Sequence, residues 1–300
     1  MAMKIRTTVI GSYPVVGDGF DAIRAAVQDQ LDAGIDLISD GQTRKDMVAY
    51  FADHIPGFEV NDGRSYIVGK IMPPEETPLP ADLAFARRLS DGRADVKAII
   101  TGPVTMAFFS ELKPSAPYKS YRDQALYQDI SNALVAECQL IQKEGFMNFQ
   151  IDEPSFSIGA PMDLGRKALE NIFNGIRGTK ALHVCGSLRG VFQSMVQIDG
   201  MDVISIAFKD SLSNFDNVER KALEDYGKKL GIGCVSSTDG NVESKEAISS
   251  IIRKAAGAYG VENISSIHPD CGLRSLEREA AKGKLRNMVM ALRGMAKELE

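Results

Sequence analysis

A histidine and two cysteines are the residues of this sequence best suited to chemistry. His183 and Cys185 are spaced i, i+2, and Cys271 lies in a Pro-Asp-Cys-Gly turn after the apolar run Ile264–Ile267. Residues two apart on a strand point the same way, so one strand can present an imidazole and a thiol to one ion. One nitrogen and two sulfur ligands suit Zn²⁺, with a fourth position open or filled by a carboxylate. The pattern is equally compatible with two buried thiols beside a core histidine.

Two further cysteines and two further histidines predict no chemistry. Cys138 falls in a helical run and Cys234 inside an apolar strand-like run, so both are expected to pack in the core. His54 and His268 have no partner nearby in the sequence, and packing or surface roles are expected for them.

Other polar residues follow apolar runs. Ser12 follows the first run, and its hydroxyl could line a site or belong to an ordinary turn. Asp152 and Glu153 end a later run just before Pro154. Adjacent residues on a strand face opposite ways, so only one of these carboxylates is expected to face a site. That carboxylate could hold a substrate ammonium group, and the alternative is an ion pair or a helix N-cap.

Short apolar runs alternate with amphipathic helical stretches along the whole chain. The runs are apolar throughout, as is typical of strands buried on both faces. The predicted strands are Thr7–Ile10, Asp36–Ser39, Val96–Ile100, Asn148–Ile151, Ala181–Val184, Val203–Ile206, Gly231–Val235 and Ile264–Ile267. The predicted helices are Phe20–Ala33, Leu83–Leu89, Asp123–Lys143, Asp163–Phe173, Ser187–Met195, Asn217–Leu230, Ser244–Ala256 and Leu276–Leu299.

This alternation predicts an α/β fold, a (β/α)8 TIM barrel, with a doubly wound open sheet as the alternative. The Gly- and Pro-rich segment 57–79 interrupts the alternation and predicts a hairpin insertion after the second strand. Residues 1–300 show no other shift in composition, so a single domain is expected. In a barrel, chemistry collects where strands end, and the polar residues described above occupy such positions.

Composition excludes several classes of protein. The chain carries 35 Lys and Arg against 40 Asp and Glu, a net charge of −5 that argues against a nucleic-acid partner. No run of 18 or more apolar residues is present, so no membrane span is predicted. The N-terminus lacks the apolar core of a signal peptide, and we expect a cytoplasmic protein. Four cysteines in 300 residues form no disulfide framework, so they are expected to be free, metal-bound or catalytic.

Six motifs together resemble the catalytic domain of cobalamin-independent methionine synthases. In chain order they are VIGSYP, DGQTRKDMVAYF, TGPVT, QIDEPS, HVCGS and HPDCGLRS. The resemblance implies a TIM barrel that binds zinc through His, Cys, Glu and Cys and methylates the thiol of homocysteine. Carried over by motif, His183, Cys185 and Cys271 are implied zinc ligands. Ser12 and Asp152 are implied to hold the amino-acid part of homocysteine.

The sequence departs from that family pattern in three ways. It is about half as long as the two-barrel members, and so resembles the short core form of archaea and bacteria. Ala207 stands where the zinc glutamate is expected, which leaves the fourth place to Asp210, Glu153 or water. Gln42 stands where long members have a glutamate that contacts the substrate ammonium group. Gln42 is therefore a substrate-binding candidate, and Asp152 becomes the main anion.

These observations predict a zinc-dependent thiol methyltransferase that makes methionine from homocysteine, without a covalent intermediate on the protein. The short form implies a methylcorrinoid protein as methyl donor rather than methyltetrahydrofolate. The absence of Trp, which often stacks on pterins, agrees with this, as does the lack of a basic run for polyglutamate. Two alternatives stay open. One is methyl transfer to a different thiol such as coenzyme M, and the other is a non-catalytic barrel that lost the zinc glutamate.

Overall fold

Twelve strands and eleven α-helices make up the computed structural model, which describes residues 5–299. The strands are β1 (Arg6–Thr7), β2 (Leu37–Ile38), β3 (Phe58–Asn61), β4 (Arg64–Ile67), β5 (Asp95–Val96), β6 (Ala98–Thr101), β7 (Ser110–Leu112), β8 (Asn148–Asp152), β9 (Thr179–Val184), β10 (Val203–Ala207), β11 (Lys229–Val235) and β12 (Ile264–Pro269). The helices are α1 (Gly19–Ala33), α2 (Met47–Ala52), α3 (Leu79–Ser90), α4 (Pro103–Phe108), α5 (Gln124–Lys143), α6 (Met162–Gly175), α7 (Phe192–Met195), α8 (Asn214–Asn217), α9 (Arg220–Asp225), α10 (Lys245–Tyr259) and α11 (Arg278–Gly294). Short 3₁₀ turns cover Pro154–Ile158, Val261–Asn263 and Ala296–Glu298.

Parallel strands form the centre of the fold. Seven of them pair in the order β1-β12-β11-β10-β9-β8-β6, and β2 pairs in parallel with β5. The register places His183 beside Asp152 on one side and beside Ser205 on the other. The predicted α/β class is confirmed, with the parallel strands arranged as a half-barrel. All eight predicted strand regions contain observed strands.

Helix bounds differ from the predicted ones where glycine or a turn intervenes. The predicted helix Asn217–Leu230 is broken into α8 and α9, and its last two residues begin β11. Gly227 follows α9 with φ of 64°, a left-handed conformation that ends a helix and that glycine adopts readily. The predicted helix Ser187–Met195 is reduced to the four residues of α7.

The segment 57–79 contains an antiparallel pair, β3 with β4, in which Phe58 lies opposite Ile67. Asp62 and Gly63 connect the two strands, and both have positive φ, as two-residue hairpin turns of the primed type require. β7 then pairs in parallel with β4, so a three-stranded sheet forms. The sequence did not predict β7, because its pairing joins residues more than 40 positions apart.

Amphipathic helices cover the sheet and bury one continuous apolar core. Cys138 on α5 and Cys234 on β11 are fully buried in that core, as expected for packing residues. Within residues 5–299, no helix is long and apolar enough to cross a membrane.

Candidate functional site

Three ligand atoms converge where β9 and β12 end. His183 lies on β9, Cys185 follows its last residue, and Cys271 lies two residues after β12. A ring nitrogen of His183 and the two sulfurs lie within 4.8 Å of one another, close enough to hold one metal ion. His183 is buried, whereas both cysteines are partly exposed. The i, i+2 spacing on one strand thus brings His183 and Cys185 together, and only the tertiary structure adds Cys271.

The His183 ring is oriented for coordination. Its Nδ1 lies 3.1 Å from the hydroxyl of Ser205. Its Nε2 is buried and has no hydrogen-bond partner among the described residues. A buried polar atom without a partner is costly unless something binds it, and a metal ion would do so. The donor set of one imidazole and two thiols therefore fits a metal such as zinc.

The surroundings make the two thiols unequal. Contact with Cys271 lowers the pKa of the Cys185 thiol. Contact with Cys185, together with burial, raises the pKa of Cys271. Burial lowers the pKa of His183, but contact with the Cys271 sulfur outweighs it and the net direction is upward. Cys185 is therefore the thiol of the pair that deprotonates more readily.

No carboxylate joins the three ligand atoms within the described residues. Asp210, a candidate fourth ligand, instead accepts hydrogen bonds from the Ser236 hydroxyl at 2.9 Å and the Ser237 N–H at 3.1 Å. The other candidate, Glu153, accepts from the N–H groups of Val104 and Thr105 at 2.8 and 2.7 Å. Both carboxylates are engaged elsewhere, because each caps nearby backbone N–H groups. The expectation that either serves as fourth ligand is not supported.

The neighbouring carboxylates Asp152 and Glu153 face opposite ways, as strand geometry predicts. Asp152 lines the cleft in front of the His183 group, and Glu153 caps α4. Burial raises the pKa of Asp152 to about 6, against the lowering effects of His183, Gln150 and Lys97. Asp152 accepts a 2.7 Å hydrogen bond from the Gln150 side chain. At neutral pH it is therefore a buried anion on the wall of this cleft.

Ser12 and Gln42 also line that cleft. A Cβ on Gly272 would lie 2.0 Å from the Ser12 hydroxyl, so only glycine lets the Cys271 turn approach it. The Leu273 N–H donates to the Ser12 carbonyl oxygen at 2.7 Å, which fixes this approach. Gln42 has φ of 45°, and its side chain lies against Gly11, where a Cβ would be 2.3 Å from the amide oxygen.

All six residues predicted from the sequence line one cleft. They are Ser12, Gln42, Asp152, His183, Cys185 and Cys271. The cleft thus brings the three ligand atoms and the predicted substrate-binding side chains to one place.

Several residues around the cleft were not predicted. Arg274 donates to the carbonyl oxygens of Lys45 and Gln42, and its Nε has no partner among the described residues. It lies in the HPDCGLRS motif, which could have drawn attention to it. Lys97 is buried and donates to Gln150 and to the Val9 carbonyl. Burial lowers its pKa to about 7. A lone lysine in an apolar run gave no signal.

The histidines outside the predicted site do have partners. His268 is fully buried, and its Nε2 lies 2.9 Å from the Ser205 hydroxyl. His54 lies 3.0 Å from the carboxylate of Glu137. Both partners come from distant parts of the chain, so the sequence could not show them, and the burial of His268 agrees with the expected packing role.

Proteins named methionine synthase are similar in sequence to this chain over nearly its whole length. Methionine synthase of Methanothermobacter thermautotrophicus is 41% identical over 95% of this chain and 98% of its own length. Methionine synthase of Methanocaldococcus jannaschii is 34% identical over 95% of this chain and 97% of its own length. The chain therefore spans nearly the whole length of these relatives, as expected for the short form.

Solved structures share the fold. A B12-independent methionine synthase from Shewanella sp. W3-18-1, solved with selenomethionine, superposes with a TM-score of 0.84 at 23% identity over 98% of both chains. A methyltransferase from Methanosarcina mazei superposes with a TM-score of 0.70 at 14% identity over 98% of this chain and 94% of its own. At these low sequence identities, the structural similarity supports a shared fold and nothing more.

A family model described as the catalytic domain of cobalamin-independent synthase matches residues 18–293. The resemblance carried by the six motifs is thereby confirmed. The chain belongs to the cobalamin-independent methionine synthase catalytic-domain family.

Proposed function

We propose that this protein is a zinc-dependent methyltransferase that makes methionine from homocysteine. The observation that carries the proposal is the convergence of His183, Cys185 and Cys271 in a cleft that also contains Asp152. Relatives named methionine synthase, similar over nearly their whole length, support the same reaction.

His183, Cys185 and Cys271 would hold the ion. Zinc is favoured over harder cations because the donors are one nitrogen and two sulfurs. When bound, zinc lowers the pKa of a thiol that shares its coordination, so that the thiol reacts as thiolate near neutral pH. Because no fourth protein ligand converges there among the described residues, a place remains for the substrate sulfur.

The remaining cleft residues position homocysteine. Asp152 binds the substrate ammonium group, while Ser12 and Gln42 hydrogen-bond its amino-acid end. The homocysteine sulfur then attacks the methyl carbon of the donor, and the sulfur–carbon bond forms as the bond to the donor breaks. No side chain of the protein carries the methyl group, so catalysis rests on positioning and on thiolate formation.

We propose a methylcorrinoid protein as the donor. Beside the cleft, Arg64, Tyr66, Phe109 and Glu111 line a broad opening that also reaches Asp46 and Met47. Phe108 and Phe109 are exposed near this side, and the chain has no Trp. An open, mixed apolar and charged rim suits a protein-bound donor better than a pterin that needs an aromatic sandwich.

We also infer that the parallel strands close into a single (β/α)8 barrel domain with 57–79 as its insertion. An isolated bridge between Thr8 and Leu37 links the β1 edge to β2. The Lys97 N–H, between β5 and β6, donates to the Ile38 carbonyl at 2.9 Å. These two contacts supply the pairings that closure needs. A cytoplasmic location fits the four free cysteines.

A metal analysis and a methyl-transfer assay test the function. Freshly purified protein is expected to hold one zinc per chain, with Cys271→Ser losing it and Cys138→Ala, a buried thiol on α5, keeping it. Zinc-replete protein is then assayed with homocysteine, and with methylcobalamin and methyltetrahydrofolate offered in parallel. Metal-free wild-type protein, or transfer from methyltetrahydrofolate alone, would overturn the metal and the donor proposals respectively.

A second acceptor is favoured by one observation: Gln42 is neutral where long family members have a glutamate. A weaker ammonium site admits thiols without an amino group, such as coenzyme M. Calorimetry that compares homocysteine with such thiols distinguishes the two acceptors. Equal affinities would favour the second acceptor.

A further inference from the structure

Three buried side chains of the central sheet form a hydrogen-bond network behind the candidate metal site. They are His183 on β9, Ser205 on β10 and His268 on β12, each at most 3% exposed. The His183 Nδ1 lies 3.1 Å from the Ser205 Oγ, which lies 2.9 Å from the His268 Nε2. The His268 Nδ1 lies 2.7 Å from the carbonyl oxygen of Pro269.

The chemistry of these groups allows only one direction of proton donation through the hydrogen-bond network. A carbonyl oxygen only accepts, so the His268 Nδ1 must carry a proton. Among the described residues, no carboxylate hydrogen-bonds to this buried ring, and burial without a counter-charge keeps it neutral. Its Nε2 therefore accepts the hydroxyl proton of Ser205. The Ser205 oxygen is then left to accept the Nδ1–H of His183.

This direction of proton donation determines whether the other ring nitrogen of His183, Nε2, carries a proton. A neutral imidazole with its proton on Nδ1 has a lone pair on Nε2, the buried atom without a partner. Only that lone pair can coordinate a metal ion. The opposite direction, with protonated His268 donating to Ser205, would place the His183 proton on Nε2 and block coordination.

We infer that Ser205 and His268 are positioning residues that hold His183 in the tautomer able to bind the metal. The inference deepens the proposed function and rests on it, since the tautomer matters only if His183 is a ligand. Outer-shell partners of ligating histidines generally fix ring orientation and tautomer in this way.

The packing of the sheet makes room for this hydrogen-bond network. Ser205 lies opposite Gly231 on β11, the strand between β10 and β12. A Cβ on Gly231 would lie 2.7 Å from the His268 Nε2. Glycine at this position therefore lets the His268 ring cross β11 and reach β10. The His183 and His268 rings stand at 89° with centroids 6.2 Å apart, on either side of the Ser205 hydroxyl.

The tautomer can be read directly in metal-free protein. The chain has only three histidines, so ¹⁵N NMR of histidine-labelled protein resolves each ring. His183 is expected to be protonated on Nδ1 in the wild type, and Ser205→Ala is expected to shift it toward the Nε2–H form. A wild-type His183 protonated on Nε2, or a tautomer unchanged in Ser205→Ala, would overturn the inference.

Metal affinity provides a second readout, measured for zinc by competition with a chelator. Ser205→Ala and His268→Leu are expected to weaken zinc binding about 10- to 100-fold. His268→Gln is expected to restore most of the affinity, because its amide oxygen is the same number of bonds from Cα as Nε2. Ser131→Ala removes a buried hydroxyl on α5, which donates to the Gln128 carbonyl and accepts from the Asn171 side chain, and it is expected to leave affinity unchanged.

The outcomes separate the two proposals. If the wild-type protein binds zinc and Ser205→Ala binds it with equal affinity, the inference is contradicted and the proposed function is not affected. If the wild-type protein binds no zinc, the proposed function is contradicted. The tautomer of His183 in metal-free protein then still tests the direction of proton donation in the hydrogen-bond network.

Discussion

At the scale of single residues, the cleft combines one group of soft ligands with the buried carboxylate of Asp152. A second carboxylate on the cleft wall, Asp46, caps α2, and Glu153, the neighbour of Asp152, caps α4. The ligand group contains two thiols and no carboxylate within the described chain. With two thiolates, such a group around Zn²⁺ is formally neutral, which makes the ion a better Lewis acid than one that also binds glutamate.

Asp152→Asn removes the charge that we propose binds the substrate ammonium group. A hydrogen bond between two charged groups contributes about 1.5–3 kcal/mol, so homocysteine affinity is expected to fall about 10- to 100-fold. Calorimetry with homocysteine measures the loss, and a thiol without an amino group is the control ligand. Equal losses for both ligands would contradict the assigned role.

Ala207→Glu restores the carboxylate of the longer family members. Ala207 is 2% exposed, so the new side chain must be buried beside the ligand group or displace it. Methyl transfer is expected to stay the same or fall, because in the proposed function three ligands hold the metal without that carboxylate. A gain in activity would instead favour a site that lost its function with the glutamate.

At the scale of elements, capping side chains hold the loops that carry the cleft. Asp270 accepts hydrogen bonds from the N–H groups of Phe208 and Lys209 at 3.1 and 3.2 Å, and from that of Asp210. It thereby ties the loop after β10 to the turn that carries Cys271. Asp46 caps the first turn of α2, and the first residue of this helix, Met47, lines the cleft.

Asp46→Ala tests this capping role. The Asp46 carboxylate accepts from the N–H groups of Val48 at 2.9 Å and Ala49 at 3.4 Å. Its loss is expected to lower the free energy of unfolding by about 1 kcal/mol. Asp46→Asn keeps a capping oxygen and is expected to stay close to wild type in the same denaturant titration. An equal loss in both variants would point to the charge rather than the cap.

At the scale of the whole molecule, several buried carboxyl groups make stability depend on pH. Burial raises the pKa of Asp40 to about 6, and the pKa values of Glu153 and Asp270 to about 7. Each folded-state pKa exceeds its unfolded value, so the native state binds more protons between pH 4 and 7. The stability that these groups contribute is present below their unfolded pKa values and is lost as pH rises through 6 to 7.

The free energy of unfolding of the metal-free protein is therefore expected to fall between about pH 4 and 7. Each unit of pKa shift corresponds to about 1.4 kcal/mol, so the three shifts set an upper limit on the order of 10 kcal/mol. Urea titrations at a series of pH values measure it, and Glu153→Gln is expected to flatten part of the slope. A flat or rising profile over that range would show that these carboxyl groups are ionised without cost.

The sequence alone determined the α/β class, the positions of the eight alternating strand regions and six of the residues that line the cleft. It could do so because both signals depend on residues close together in the sequence. Buried strands appear as apolar runs, and residues two apart on a strand, such as His183 and Cys185, face the same way. Six motifs also carried the family. Tertiary structure alone decided which carboxylate faces the cleft, that Asp210 and Glu153 are occupied elsewhere, and that His268 reaches Ser205. These depend on pairings between distant segments, and a glycine such as Gly231 becomes meaningful only when its neighbour across the sheet is known.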